Sequence, residues 1–136
     1  MKKMNNKGFS LVELIIVIAI MAILIGVLAP QYIKYVEKSR ASADLDQLDS
    51  VYNACTIAAA DPEIEDAPYN KSTVSVISSG SWGPEVLTTL GISSMGELKW
   101  KSKSAKASGS GATSGLSISV DDMGNFTVKI GLLSVN

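Results

Sequence analysis

The chain has 136 residues, with 12 lysines and arginines against 13 aspartates and glutamates, no histidine and a single cysteine, Cys55. That length holds one modest domain, the missing histidine removes the commonest metal ligand and neutral-pH base, and one cysteine allows no intramolecular disulfide. Beyond the first eight residues, nine basic side chains face thirteen acidic ones. This balance argues against a nucleic-acid partner, because phosphate binding needs clustered lysine and arginine.

Residues 1–8 are polar and basic, with Lys2, Lys3 and Lys7, a flank that keeps its side of a membrane segment in the cytoplasm. Residues 9–29 follow as an apolar run of 21 in which Glu13 is the only charge. As a helix the run is about 31 Å long, roughly one hydrocarbon thickness. A secretory signal has only ~7–15 apolar residues and ends in a small-residue cleavage site. This run is longer, and its small residues Gly26 and Ala29 lead into Pro30 and a charged helical pattern. An ionised carboxylate costs about 2.5–3.5 kcal/mol at a bilayer centre and less near an end. Glu13 therefore needs a partner.

These residues resemble the type IV pilin family and its relatives, the type II secretion pseudopilins. The family's leader is short, basic and ends in Gly. Its peptidase cuts before the apolar run, the exposed Phe becomes N-methylated, and a Glu lies four residues on. This sequence matches at Gly8, Phe9 and Glu13, carries the leader's lysines, and places Pro30 where many members have a proline; Ser10 replaces the commoner Thr. The likeness covers about the first third of the chain, and its specificity comes from residue type, spacing and position agreeing together. It implies leader cleavage between Gly8 and Phe9, N-methylation of Phe9, and assembly through Phe9 and Glu13. Pilins of Gram-negative bacteria usually close their C-terminal region with a disulfide, so the lone Cys55 leans towards a Gram-positive source or a pseudopilin.

From residue 9 the helical pattern has no capped stop until Asp61-Pro62. Gly26 and Pro30 weaken it: Pro30 lacks an N–H and its ring presses on the carbonyl of residue 26, so a bend or local unwinding is expected at this pair, becoming a helix break once subunits pack in a filament. Further on, Ile33, Val36, Ala41, Leu45, Leu48, Val51, Tyr52, Cys55, Ala58 and Ala59 recur at helical spacing. Lys34, Glu37, Lys38, Asp44, Asp46 and Asp49 are expected largely on other faces. Cys55 reads as a small buried hydrophobe. A helix over residues 9–60 would be about 78 Å long, too long for one small domain to cover. Its first half must be buried by lipid, then by other copies of the chain.

Residues 61–71 read as the connection out of the helix and residues 74–77 as a short strand. Gly83-Pro84 to Leu90, closed by Gly91, reads as a short helix. Residues 98–101 alternate like a strand, and 101–115 read as a mobile, lysine-bearing loop. Residues 116–120 and 126–130 alternate cleanly around turn residues 121–125, as two arms of a hairpin. Asp121, Asp122 and Asn125 in that turn form a weak calcium candidate, since three oxygen donors fall short of a calcium loop and turns favour Asp and Asn anyway. The triplets at Asn70 and Asn125 that match an N-glycosylation acceptor are short enough to arise by chance.

The expected fold is α+β and pilin-like: a long N-terminal helix packed against a small antiparallel sheet. Residues 1–8 are the cleaved leader, 9–30 the membrane and filament-core half of the helix, 31–60 its amphipathic half and 61–136 a β-rich head. With no histidine, activated nucleophile or phosphate loop, an enzyme is not expected and no cofactor is implied. The resemblance implies a structural subunit of a type IV pilus, used in adhesion, aggregation or twitching motility. The alternative is a pseudopilin of a secretion or DNA-uptake system. An uncut, membrane-anchored binding module is a third reading, and the Gly8-Phe9 and Glu13 set counts against it. The implied partners are other copies of the chain, minor pilins, prepilin peptidase, the inner-membrane assembly platform with its ATPase, and the membrane. The implied location is the cytoplasmic membrane before assembly and the cell surface afterwards.

Overall fold

The computed structural model describes residues 8–74, 80–106 and 116–136. Lys2, Lys3 and Lys7 of the leader, residues 75–77 of the expected strand and residues 107–115 of the expected loop lie outside the described residues. The chain divides into two compact units, Met1–Val36 and Glu37–Asn136. Helix α1 (Leu11–Ala60) contributes to both.

In the first unit, every large apolar side chain from Phe9 to Tyr35 is exposed. Apart from the rung that Pro30 removes, the helical backbone of α1 pairs within itself, which is what a segment without water around it requires. Its side chains have no protein core here. α1 is long and apolar enough to cross a membrane.

In the second unit, α1 buries Asp44, Leu48, Val51, Ala54, Cys55 and Ala58, a stripe at the three- and four-residue spacing of one helix face. Two members of the expected stripe do not join it: Ile33 and Leu45 are exposed. Asp44, expected on a polar face, is 1% exposed. The reason is a set of backbone donors that meet its carboxylate, described below.

The sheet is a four-stranded antiparallel meander, β1 (Lys71–Val74), β2 (Leu116–Val120), β3 (Phe126–Ile130) and β4 (Leu133–Val135), in that order. The expected hairpin is β2–β3, in register from Leu116 opposite Ile130 to Val120 opposite Phe126. Alternation puts Ile118, Val120, Phe126, Val128 and Ile130 inside. β1 pairs with β2 through an irregular register between Lys71 and Val74, as a one-residue bulge produces. β4 was not foreseen; it returns from a tight turn at Gly131 to pair with β3.

Helix α2 (Trp82–Leu90) ends where expected: Gly91 takes the left-handed conformation and its N–H reaches back to the last turn. Trp82 stacks on Phe126, with ring centroids 5.9 Å apart and planes 5° from parallel. Both join Leu48, Val51, Val86, Leu98, Trp100 and Ile130 in one core. Each such large apolar side chain contributes about 1.5–3 kcal/mol by leaving water.

Two expectations fail between α2 and the hairpin. Residues 98–101 do alternate, with Leu98 and Trp100 buried and Lys99 and Lys101 exposed, but they form no strand. The Lys101 N–H goes to the Asp44 carboxylate instead of a neighbouring strand. Residues 103–106, read as loop, form a helical turn, α3 (Lys103–Lys106), with Ala105 buried.

Candidate functional site

The distinctive chemistry of the sequence is gathered at the start of α1. Gly8, Phe9 and Ser10 precede the helix, and Phe9 is 94% exposed. Ser10 is the helix N-cap: its Oγ accepts from the N–H groups of Val12 and Glu13, at 3.2 and 3.5 Å. Glu13 reaches back, its Oε2 accepting from the Ser10 N–H at 2.8 Å. The two residues thus form a capping box, which satisfies otherwise unpaired donors at the helix start. The carboxylate also stands at the positive end of the helix dipole.

The spacing Ser-Leu-Val-Glu carries this signal in the sequence, beyond Ser10's place as a substitute for the commoner Thr. Within the apolar run, Glu13 needs a partner. The single chain gives it a backbone N–H. A carboxylate has roughly four lone-pair positions, so this bond leaves capacity for a second donor. Around Glu13 the surface is apolar and open, with Leu11, Leu14, Ile16 and Val17 all exposed.

Gly26 and Pro30 both lie within α1, which continues through them in the single chain. A proline removes one rung of the ladder and crowds the carbonyl four residues back. The turns on either side keep their own bonds. Nothing lies within 4 Å of where a Gly26 Cβ would stand.

The remaining candidates are structural. Asp121 holds the β2–β3 turn: its Oδ1 accepts from the N–H groups of Met123 and Asn125 at 2.9 and 2.7 Å, and its Oδ2 from Asn125 Nδ2 at 2.9 Å. Asn125's side-chain and backbone N–H groups are the main reason the Asp121 carboxyl lies below its ordinary pKa. Asp122 gives its carbonyl to the Tyr69 hydroxyl. Asn125 therefore turns a donor towards Asp121, and both Asp121 oxygens are engaged. Among the described residues, no group of three or more Asp, Glu, His or Cys side chains is placed to hold a metal ion.

Cys55 is fully buried on the α1 stripe, and burial pushes its thiol up to about 12. Asp66, unremarked in the sequence, holds the start of α2 by accepting from the Ser81 hydroxyl and the Ser81 and Trp82 N–H groups. Those bonds, the Ser81 hydroxyl first, lower its carboxyl pKa.

Residues 3–29 match the family model for the prokaryotic N-terminal methylation motif. A Myxococcus xanthus (strain DK1622) protein described as type IV major pilin protein PilA is 41% identical over 50 residues. That match covers 37% of this chain and spans only 23% of the relative's length. No solved structure matches.

Proposed function

We propose that this chain, whose N-terminal segment is that of the type IV pilin family, is a structural subunit of a type IV pilus. The observation that carries this reading is the exposed apolar helix start holding one carboxylate, Glu13, four residues after the Gly8-Phe9 pair. Prepilin peptidase cuts between Gly8 and Phe9. The new α-amino group, with an ordinary pKa near ~7.7–8.0, is largely cationic at neutral pH, and N-methylation of Phe9 keeps that charge.

In the membrane the subunit crosses once, its Glu13 satisfied by Ser10. On assembly, the α1 surface exchanges lipid for identical helices, and each Glu13 accepts the Phe9 amine of a neighbouring subunit. A one-step slip would leave two buried charges unpaired, at several kcal/mol. The pair therefore sets register. Repeated head-to-tail contacts of this kind do not close and so build a helical filament. The machinery implied is the peptidase, the assembly platform with its ATPase, and minor pilins, with the cell surface as destination.

The similarity to a protein described as a major pilin favours a pilus over the shorter pseudopilus of a secretion or DNA-uptake system. Sheared surface filaments provide the test. Their intact subunit mass should begin at Phe9 and carry one added methyl. Filaments whose subunits retain residues 1–8 would sink the reading, and mature subunits found only in short envelope-bound filaments would turn it to the pseudopilus.

A further inference from the structure

Asp44 is a buried carboxylate that assembly through Phe9 and Glu13 does not use. It is 1% exposed and sits among donors. Lys101 N–H bridges both oxygens at 3.0 and 3.1 Å, and Ser102 N–H reaches Oδ2 at 2.7 Å. One residue further, the Lys103 N–H donates to Glu37 Oε1. Glu37 and Asp44 are seven residues apart, two turns along one face of α1, a separation of roughly 10.5 Å. Three consecutive N–H groups, 101 to 103, are thus received by two carboxylates of one helix. Ser102, itself fully buried, uses its Oγ to accept from Ala105 N–H at 3.1 Å, which starts the turn of α3.

The other side of this segment is fastened to the sheet. Ser104 O accepts from Leu132 N–H at 3.0 Å. Gly131, at φ +57°, lets the β3–β4 corner come so close that a Cβ there would stand 2.1 Å from Ser104 O. Within 101–106 only Ser102 and Ala105 are buried, so the attachment is made mainly by hydrogen bonds to charged acceptors and to backbone. Segments with little apolar burial open at lower free energy than the core beside them.

We propose that residues 101–106 are a clasp joining α1 to the β3–β4 corner, closed by Asp44 and Glu37, and able to open while the hairpin stays folded. It makes without covalent chemistry the kind of tie that a chain with one cysteine cannot make by an internal disulfide. If the chain is a filament subunit as proposed, opening it lets residues 101–106 give way under load while the hairpin stays folded.

Amide hydrogen exchange on the full chain in detergent micelles tests this. Asp44→Asn turns an acceptor-only group into one that also carries N–H donors. The Lys101 and Ser102 amides should then exchange at least about tenfold faster, and already in wild type they should exchange faster than those of residues 116–130. Unchanged exchange at 101 and 102 would overturn the clasp. So would wild-type amides at 101 and 102 as well protected as those of 116–130, which makes the segment open only with the core. Glu37 is only half-buried, so Glu37→Gln gives a folded chain even where Asp44→Asn does not. It should accelerate Lys103 most, and no change at Lys103 overturns the proposal as well.

Discussion

At Glu13 the Ser10 N–H occupies one position on a carboxylate that can take more, so satisfying the single subunit and recruiting a neighbour need not compete. Glu13→Ala should still be cut and should accumulate in the membrane, because removing a charge does not oppose insertion. It should enter filaments poorly, most clearly when co-expressed with wild type, where each mutant leaves a buried amine unpaired. Wild-type filament yield from Glu13→Ala alone would refute the register mechanism. The cap makes a separate prediction: Ser10→Ala should destabilise the helix start by about 0.5–2 kcal/mol, while Ser10→Thr keeps the acceptor. Exchange of the Val12 and Glu13 amides measures it. For Asp44, burial alone would raise the pKa, but the Ser102 hydroxyl and the Lys101 and Ser102 N–H groups outweigh it and the pKa is lowered. A carboxyl held below its unfolded value, near ~3.9, contributes stability that is complete above that value and is lost as pH falls through the folded one. Asp66 and Asp121 shift in the same direction. Thermal unfolding of wild type should therefore be flat from about pH 5 through neutrality, where no histidine titrates, and fall steeply below about pH 4. Asp44→Asn should be less stable at neutral pH and lose less on acidification.

At the level of elements, the periodic features were legible and the long-range ones were not. The apolar run, the amphipathic stripe and the β2–β3 hairpin follow from spacings of 3.6 and 2 that the residues themselves carry. Gly91 announces the end of α2 because a left-handed residue there favours glycine. Residues 98–101 misled because alternation records one buried side, not a paired edge. Whether such a segment joins a sheet depends on where its N–H groups go, and here the partner is Asp44, 57 residues away. For the same reason Asp44 looked like a solvated helix residue. At the candidate site, Gly8, Phe9 and Glu13 were legible by type and position, and the capping box was missed although its spacing is local. Two predictions belong at this level. The uninterrupted α1 of the single chain should give way around Gly26 and Pro30 once helices pack in a filament, because the unit already lacks one rung there. A filament map with a regular ladder from Ala22 to Lys34 would refute it. Gly131→Ala forces a side chain into a left-handed position against the α3 carbonyls. It should cost about 1–3 kcal/mol in urea unfolding.

For the molecule as a whole, an exposed apolar helix half must always be covered by something, lipid or its own kind. If, as proposed, cleavage before Phe9 decides when the cover changes, Gly8→Val, which adds bulk at the cut, should leave full-length protein in the membrane and no filaments. Mass analysis of the membrane fraction decides between them. The buried thiol of the second unit offers another view of the same life history. With its pKa near 12, Cys55 exposes almost no thiolate at neutral pH, whereas an unfolded cysteine near ~8.5 holds a few per cent, roughly three orders of magnitude more. Alkylating reagents then report how often the interface between α1 and the sheet opens, through the fraction of chains that carry one irreversible mark. Applied in pulses to living cells, they would date the moments at which the subunit loosens, whether at the membrane, during extraction or in a filament under tension.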